Sequence, residues 1–216
     1  MSDEIKIGAM REWGVPVRAV VGGAPLAGRD ASGNPCLYVV MGQESSRADM
    51  FTLQIDIETG ACRRFNPPPG VSGARPVLWS ERWQKLFIGG SGREHHAGHG
   101  SGWILAFDPD QERITTPGSL RHAANMFPVS VAESPDGTIY AGCHPDASLF
   151  ALDPASGTIR DLGRMDPVEH YAYVQCGDDG TVAVLLKMTR PHVVVYNPST
   201  GEHRAVGPEA HTDKQS

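Results

Sequence analysis

A chain of 216 residues with 40 % hydrophobic content is long enough to bury a real core, which excludes a largely disordered protein. The formal net charge is −6 and no basic run exceeds Arg63-Arg64, which argues against a nucleic-acid backbone as partner. Its 25 glycines and 17 prolines, with no stretch of long-helix periodicity, point to an all-β chain of short strands and tight turns.

The first 14 residues, "MSDEIKIGAMREWG", lack the basic start and apolar centre of a secretory signal, and no membrane-length apolar run follows. A cytoplasmic location is the expectation. From residue 15 the chain reads as four repeats, about 15–70, 71–120, 121–166 and 167–208, before a polar tail at 209–216. Each repeat opens on an apolar strand: "VRAVVGGA", "ARPVLWS", "FPVSVAES" and "YAYVQCG". A turn leads to a second strand, "CLYVVMG", "KLFIGG", "TIYAGC" or "TVAVLL". A third and a fourth strand then flank a turn opened by Asp56, Asp108, Asp153 or Asn197, at spacings of 52, 45 and 44 residues. Asp and Asn suit that place because their side chains bond the backbone two residues on.

Four antiparallel strands in about 45 residues is the pattern of a β-propeller blade, and several strands are apolar on both faces, as sheets sandwiched between neighbouring blades require. Four blades leave three arrangements open: a closed four-bladed ring, an arc that pairs with another arc, or the first half of a longer ring. The last two are favoured, and an open arc exposes apolar outer faces on blades one and four, so self-association through the end blades is expected. Four widely spaced cysteines, Cys36, Cys62, Cys143 and Cys176, form no C-x-x-C and read as reduced, buried side chains.

Blade topology sorts the loops by face. Connections from second to third strand, and from fourth strand to the next blade, share one face and carry His95, His96, His99, His122, His144, His170 and His192, seven of the nine histidines. Arg47, Arg93, Arg121, Arg164 and Arg190 fall on the same side, while acidic turns such as "SPDG" and "GDDG" lie opposite. An imidazole-rich, locally cationic face suits an anionic small molecule or sugar acid. In "HHAGH", His95 and His99 are weak candidates for a divalent metal, because glycines at 92, 98, 100 and 102 argue for an irregular loop rather than a chelating helix. No other cofactor is expected. A quinoprotein-type or WD-type propeller is disfavoured, since no tryptophan recurs after the turns and no blade carries a Trp-Asp pair.

The runs "LYVVMGQ", "IDIETGACRRFNPP", "VLWSERWQKLFIGG", "LFALDPASGTIRDLG" and "YAYVQCGDDGTVAVLLK…RPHVVVYNPSTGE" resemble the propeller-fold polysaccharide lyases of the ulvan lyase type. More loosely they are similar to the wider gluconolactonase and streptogramin-lyase propellers. The resemblance covers residues 12 to 208 and implies the first four blades of a seven-bladed ring. It implies β-elimination on a uronic-acid glycan, with His122 and His144 in proton transfer and carboxylate contact, Tyr173 as proton donor or base, and Arg190 neutralising charge. Tyr171 shares the strand parity of Tyr173 and is nearly as good a candidate. Arg121, His170 and His192 join Tyr171 as candidate substrate contacts on the same rim. A non-catalytic propeller that binds a sugar or a partner is the alternative.

Overall fold

Residues 171–176 alternate half-exposed and buried side chains, the two-residue period of a strand, and that pattern recurs through the molecule. The computed structural model describes residues 20–22, 25–43, 50–69, 71–72, 76–92, 102–120 and 126–207, and all regular structure among them is strand. No helix there is long and apolar enough to cross a membrane.

The strands form four antiparallel sheets in chain order. Blade 1 holds β1 (Val20–Gly22), β2 (Leu26–Arg29), β3 (Pro35–Gln43), β4 (Phe51–Asp56) and β5 (Cys62–Phe65). Blade 2 holds β6 (Val71–Ser72), β7 (Val77–Ser80), β8 (Lys85–Gly92), β9 (Gly102–Asp108) and β10 (Arg113–Leu120). Blade 3 runs β11 (Phe127–Glu133), β12 (Ile139–His144), β13 (Ser148–Asp153) and β14 (Thr158–Arg164). Blade 4 runs β15 (Tyr171–Cys176), β16 (Val182–Lys187), β17 (His192–Tyr196) and β18 (His203–Val206). The fold is the four-bladed β-propeller arc that the repeats imply.

Prolines explain why the first two sheets have a fifth strand. The innermost strand is continuous only in blade 4, where Tyr171 to Cys176 pair without a slip against Lys187 to Val182. Blade 3 has Pro128 in that strand, and its register shifts between Pro128 and Ser130. In blades 1 and 2 the corresponding prolines, Pro25 and Pro76, stand directly before β2 and β7, and the strand is in two pieces that both pair with the second strand. Proline has no N–H to give the ladder, so each one interrupts it.

Three apolar cores lie between successive blades. Cys36, Tyr38 and Val40 of blade 1 meet Leu86, Ile88, Leu105 and Phe107 of blade 2. Phe87, Ile104 and Ala106 on the other face of blade 2 meet Ile139, Ala141, Phe150 and Leu152 of blade 3. Tyr140, Leu149 and Ala151 meet Val174, Val182, Val184 and Val194 of blade 4. Burying both faces of the middle blades is what makes their strands apolar throughout.

The turn reading holds atom by atom. Asp56 Oδ1 accepts from the N–H of Glu58 and Thr59 at 2.9 and 2.8 Å, Asp153 Oδ1 from Ala155 at 2.9 Å, and Asn197 Oδ1 from Ser199 at 2.9 Å. Four residues after each opening Asp or Asn the backbone is left-handed, with Gly60, Gly157 and Gly201 at φ 71°, 70° and 74°. Blade 2 puts Glu112 there instead, at φ 50°.

Cysteine placement departs from expectation once. Cys36 and Cys143 are buried and Cys176 partly so, but Cys62 is exposed. It lies in β5, which among the described residues is the outermost strand of its sheet, and the burial pattern of that strand is exposed except at Phe65.

Candidate functional site

Backbone register collects the described candidates at one end of blades 3 and 4. His144 ends β12 directly opposite Phe127, the first residue of β11. Tyr171 begins β15 opposite Lys187, and His192 begins β17 opposite Leu186. The ring of His144 lies 5.1 Å from that of Phe127 and 4.3 Å from that of Tyr171, and Tyr171 stacks at 6.2 Å on Tyr173. An aromatic row thus runs from the innermost strand of blade 3 to that of blade 4. The His144–Pro145 peptide is cis.

Three loops on this end are bonded to one another. The Ala147 N–H donates to the His170 carbonyl at 3.1 Å, and the Met165 N–H to the Ala147 carbonyl at 3.1 Å. Arg164 Nε donates to the Asp146 carbonyl at 2.9 Å, and a terminal nitrogen of Arg164 to that of Pro167 at 2.9 Å. Glu169, only 1 % exposed, accepts from the Thr189 N–H at 2.9 Å and from the Arg190 N–H. His192 Nε2 lies 3.6 Å from Asp166 Oδ2, and its Nδ1 is 2.7 Å from the Arg190 carbonyl. Burial raises the Asp166 pKa, but the N–H groups of Val168 and Glu169, with His192 and Arg190 nearby, outweigh it and hold the carboxyl below its ordinary value of 3.8.

The electrostatic outcome is asymmetric. Glu169 is buried and Asp146 and Asp166 partly so, each engaged by backbone or imidazole, and Arg164 is bonded to the loop carbonyls, whereas Lys187 and Arg190 are exposed. The carboxylates are engaged within the loop cluster, while the side chains of Lys187 and Arg190 stay open to solvent. The rim of blades 3 and 4 can therefore present positive charge on a chain of net charge −6.

Of the sequence-derived candidates, His144, Tyr171 and Tyr173 are brought into one row, while Arg190, His170 and His192 sit on the bonded loops beside it. His192 is tied to Asp166 and to the Arg190 carbonyl, which gives it a structural task. His122, Arg121, His95 and His99 lie outside the described residues. Among the described residues no group of three His, Cys, Asp or Glu side chains could hold a metal ion. Lys187 and Glu169 were not singled out from sequence. Lys187 was findable as the last residue of its strand, opposite Tyr171; Glu169 had no local signal, because its partners are 20 and 21 residues away.

The opposite end of the same blades has a groove of about 1070 Å³ lined by Asp136, Asp178, Asp179, Glu202, His203 and Arg204 among others. Its acidic turns agree with the sorting of loops by face. His203, at the start of β18, shows that the imidazoles are not wholly confined to the other end.

No protein-family model and no curated protein sequence matches the chain. Its likeness to solved structures is one of fold. Virginiamycin B lyase from Staphylococcus aureus superposes with a TM-score of 0.59 at 12% identity, over 91% of this chain and 61% of that one. Hydrazine synthase from Kuenenia stuttgartiensis gives 0.57 at 14% identity, over 83% and 48%. An auxiliary nutrient binding protein from Bacteroides thetaiotaomicron gives 0.54 at 16% identity, over 88% and 43%. The chain thus spans from under half to about three fifths of these proteins, and it shares the β-propeller fold with them.

Proposed function

We propose that the rim of blades 3 and 4 binds an acidic sugar and that the protein is a carbohydrate-active propeller of the polysaccharide-lyase kind. The observation that carries this reading is the row His144, Tyr171 and Tyr173, flanked by the exposed cations Lys187 and Arg190. Aromatic faces suit sugar rings, and cations suit the carboxylate of a uronic acid. In β-elimination a base takes the proton from the carbon beside that carboxylate, the C–O bond to the leaving sugar breaks, and a double bond forms between the two carbons. An acid returns a proton to the departing oxygen. The step needs the carboxylate charge offset, because the carbon-bound proton is otherwise too weakly acidic. Arg190 takes that role, Tyr173 or Tyr171 serves as proton donor or base, and His144 contacts the carboxylate or shuttles the proton; His122 is the second imidazole that the ulvan lyase resemblance supplies. A neighbour named as a lyase lends support at the level of reaction class only.

The test is incubation of the full chain with uronic-acid polysaccharides while following the ultraviolet absorbance of the unsaturated product. Absorbance should rise with wild-type protein, stop with Phe at the responsible tyrosine, and slow with Arg190→Ala. No rise on any uronate polymer would remove the elimination chemistry. A second reading, a non-catalytic sugar-binding module, is favoured by the nutrient-binding neighbour and by the structural task of His192. It expects binding without absorbance change and unaltered affinity in Tyr173→Phe.

A further inference from the structure

Two buried tyrosines end in hydroxyls that the fold does not use. Tyr140 of β12 and Tyr196, the last residue of β17, are 2 % and 4 % exposed, and both rings lie in the core between blades 3 and 4. A buried tyrosine ordinarily finds a partner for its hydroxyl. Among the described residues neither of these has a hydrogen-bond partner, and neither oxygen is sealed from solvent. What little surface each keeps opens into the groove of about 1070 Å³ at the acidic end of these blades, which both tyrosines line. Burial first, then the charge of Asp136, pushes the Tyr140 phenol up to about 12, so at neutral pH it stays protonated and can both donate and accept.

The walls of the groove supply negative charge from three separate turns. Asp136 lies between β11 and β12, Asp178 and Asp179 between β15 and β16, and Glu202 between β17 and β18. Asp136 and Asp179 are partly engaged, Asp136 by the Ser134 hydroxyl and the Thr138 N–H and Asp179 by the Thr181 N–H at 2.9 Å. The carboxylates of Asp178 and Glu202 accept no hydrogen bond among the described residues. Four carboxylates thus share the groove with one guanidinium, that of Arg204, and the imidazole of His203. Charge of one sign gathered in a concave surface draws the opposite charge. Among the described residues no three of His, Cys, Asp and Glu are grouped closely enough to hold a bare metal ion. Carboxylates spread along a groove of this size suit an extended molecule with several ammonium groups instead.

We propose that this groove binds an alkyl polyamine, whose ammonium groups donate to the carboxylates of Asp178 and Glu202 and to the hydroxyl oxygens of Tyr140 and Tyr196. The tyrosines make it a site rather than a charged surface. An ammonium N–H that reaches them satisfies hydroxyls that no part of the chain satisfies, which a diffuse cloud of counter-ions does not do. Lysine side chains of a peptide carry the same chemical group, and the experiment separates the two sources. The inference concerns the end of the blades opposite the acidic-sugar site and does not rest on the proposed chemistry.

Calorimetric titration of the full chain with spermidine, at physiological ionic strength, tests it. Saturable binding is expected. Asp178→Asn and Glu202→Gln should each weaken it, and Arg204→Ala, which removes a like charge, should tighten it. Tyr140→Phe and Tyr196→Phe change no charge and should each weaken binding by about tenfold, the loss of one hydrogen bond to a charged group. Because no part of the chain bonds those hydroxyls, neither Phe variant should lower the melting temperature, and a lowered one overturns their role as ligand groups. Absence of saturable spermidine binding overturns the proposal. So does binding that both Phe variants leave unchanged, the mark of diffuse charge. Binding of trilysine but not of spermidine would assign the groove to a peptide and overturn the polyamine.

Discussion

Gly142 packs directly against the backbone of Ala172, across the junction of blades 3 and 4. A Cβ on residue 142 would strike the Ala172 carbonyl and stand 2.8 Å from Ser130 Oγ, and backbone cannot swing aside as a side chain can. Gly142→Ala should destabilise the protein by about 1–3 kcal/mol, the usual cost of overpacking. Urea unfolding should show the midpoint fall; an unchanged midpoint would refute so close an approach.

Ser130 stitches the same junction. Its hydroxyl donates to the Ala172 carbonyl at 3.1 Å and accepts from the Val174 N–H at 2.7 Å, all of it buried. Ser130→Ala leaves both backbone groups without that partner, at a cost of about 1–3 kcal/mol. Ser130→Thr retains the hydroxyl and should lose less. Equal losses in the two variants would mean that packing, not hydrogen bonding, sets the effect.

The repeated turn gives an internal comparison. Gly201→Ala forces a Cβ into left-handed backbone and should cost about 1 kcal/mol. Glu112→Gly relieves the same strain in blade 2 and gives up only an exposed pair with Arg63. Its melting temperature should rise, and a fall would show that the Arg63 pair outweighs the strain.

Turn aspartates set the acid limit. Asp153 is held below the ordinary 3.8 by the Ser156 hydroxyl and the Ala155 N–H, and Asp56 by the N–H groups of Thr59 and Glu58. A folded-state pKa below the unfolded one contributes stability above 3.8, and that stability disappears as pH falls through the depressed values. Asp153→Asn should keep the turn, as Asn197 does in blade 4, and flatten the loss of stability with acid. Denaturation midpoints measured from neutral pH down to below 3.8 check the slope; a variant as acid-sensitive as wild type would contradict the assignment.

Thiol accessibility should follow burial. Burial raises the Cys143 pKa strongly and pushes Cys176 up to about 12, whereas Cys62 is exposed. A thiol reagent should modify Cys62 in the native protein and the other three only after unfolding. Rapid native labelling of Cys143 would show that the junction of blades 2 and 3 opens.

The sequence made the blades legible because strand parity and Asx turns are local: Asp56, Asp153 and Asn197 bond within three residues. The split innermost strands were not read, although Pro25 and Pro76 carried the signal, because a ladder is interrupted only relative to a partner strand. The histidine-rich face was partly legible. Topology put His144, His170 and His192 at one end, but the contact of His144 with Tyr171 joins two blades, and Glu169 acts on a loop 20 residues on. Cys62 was misread as buried because a fourth strand looks like the others until its place in the sheet is seen.

The most direct measurement is a calorimetric titration of the full chain with a uronic-acid oligosaccharide. Saturable binding, weakened by Lys187→Ala and by Arg190→Ala and untouched by Arg204→Ala at the opposite end, is the result predicted. Absence of binding to any acidic sugar, or binding that only Arg204→Ala weakens, would contradict the assignment of the site to the rim of blades 3 and 4.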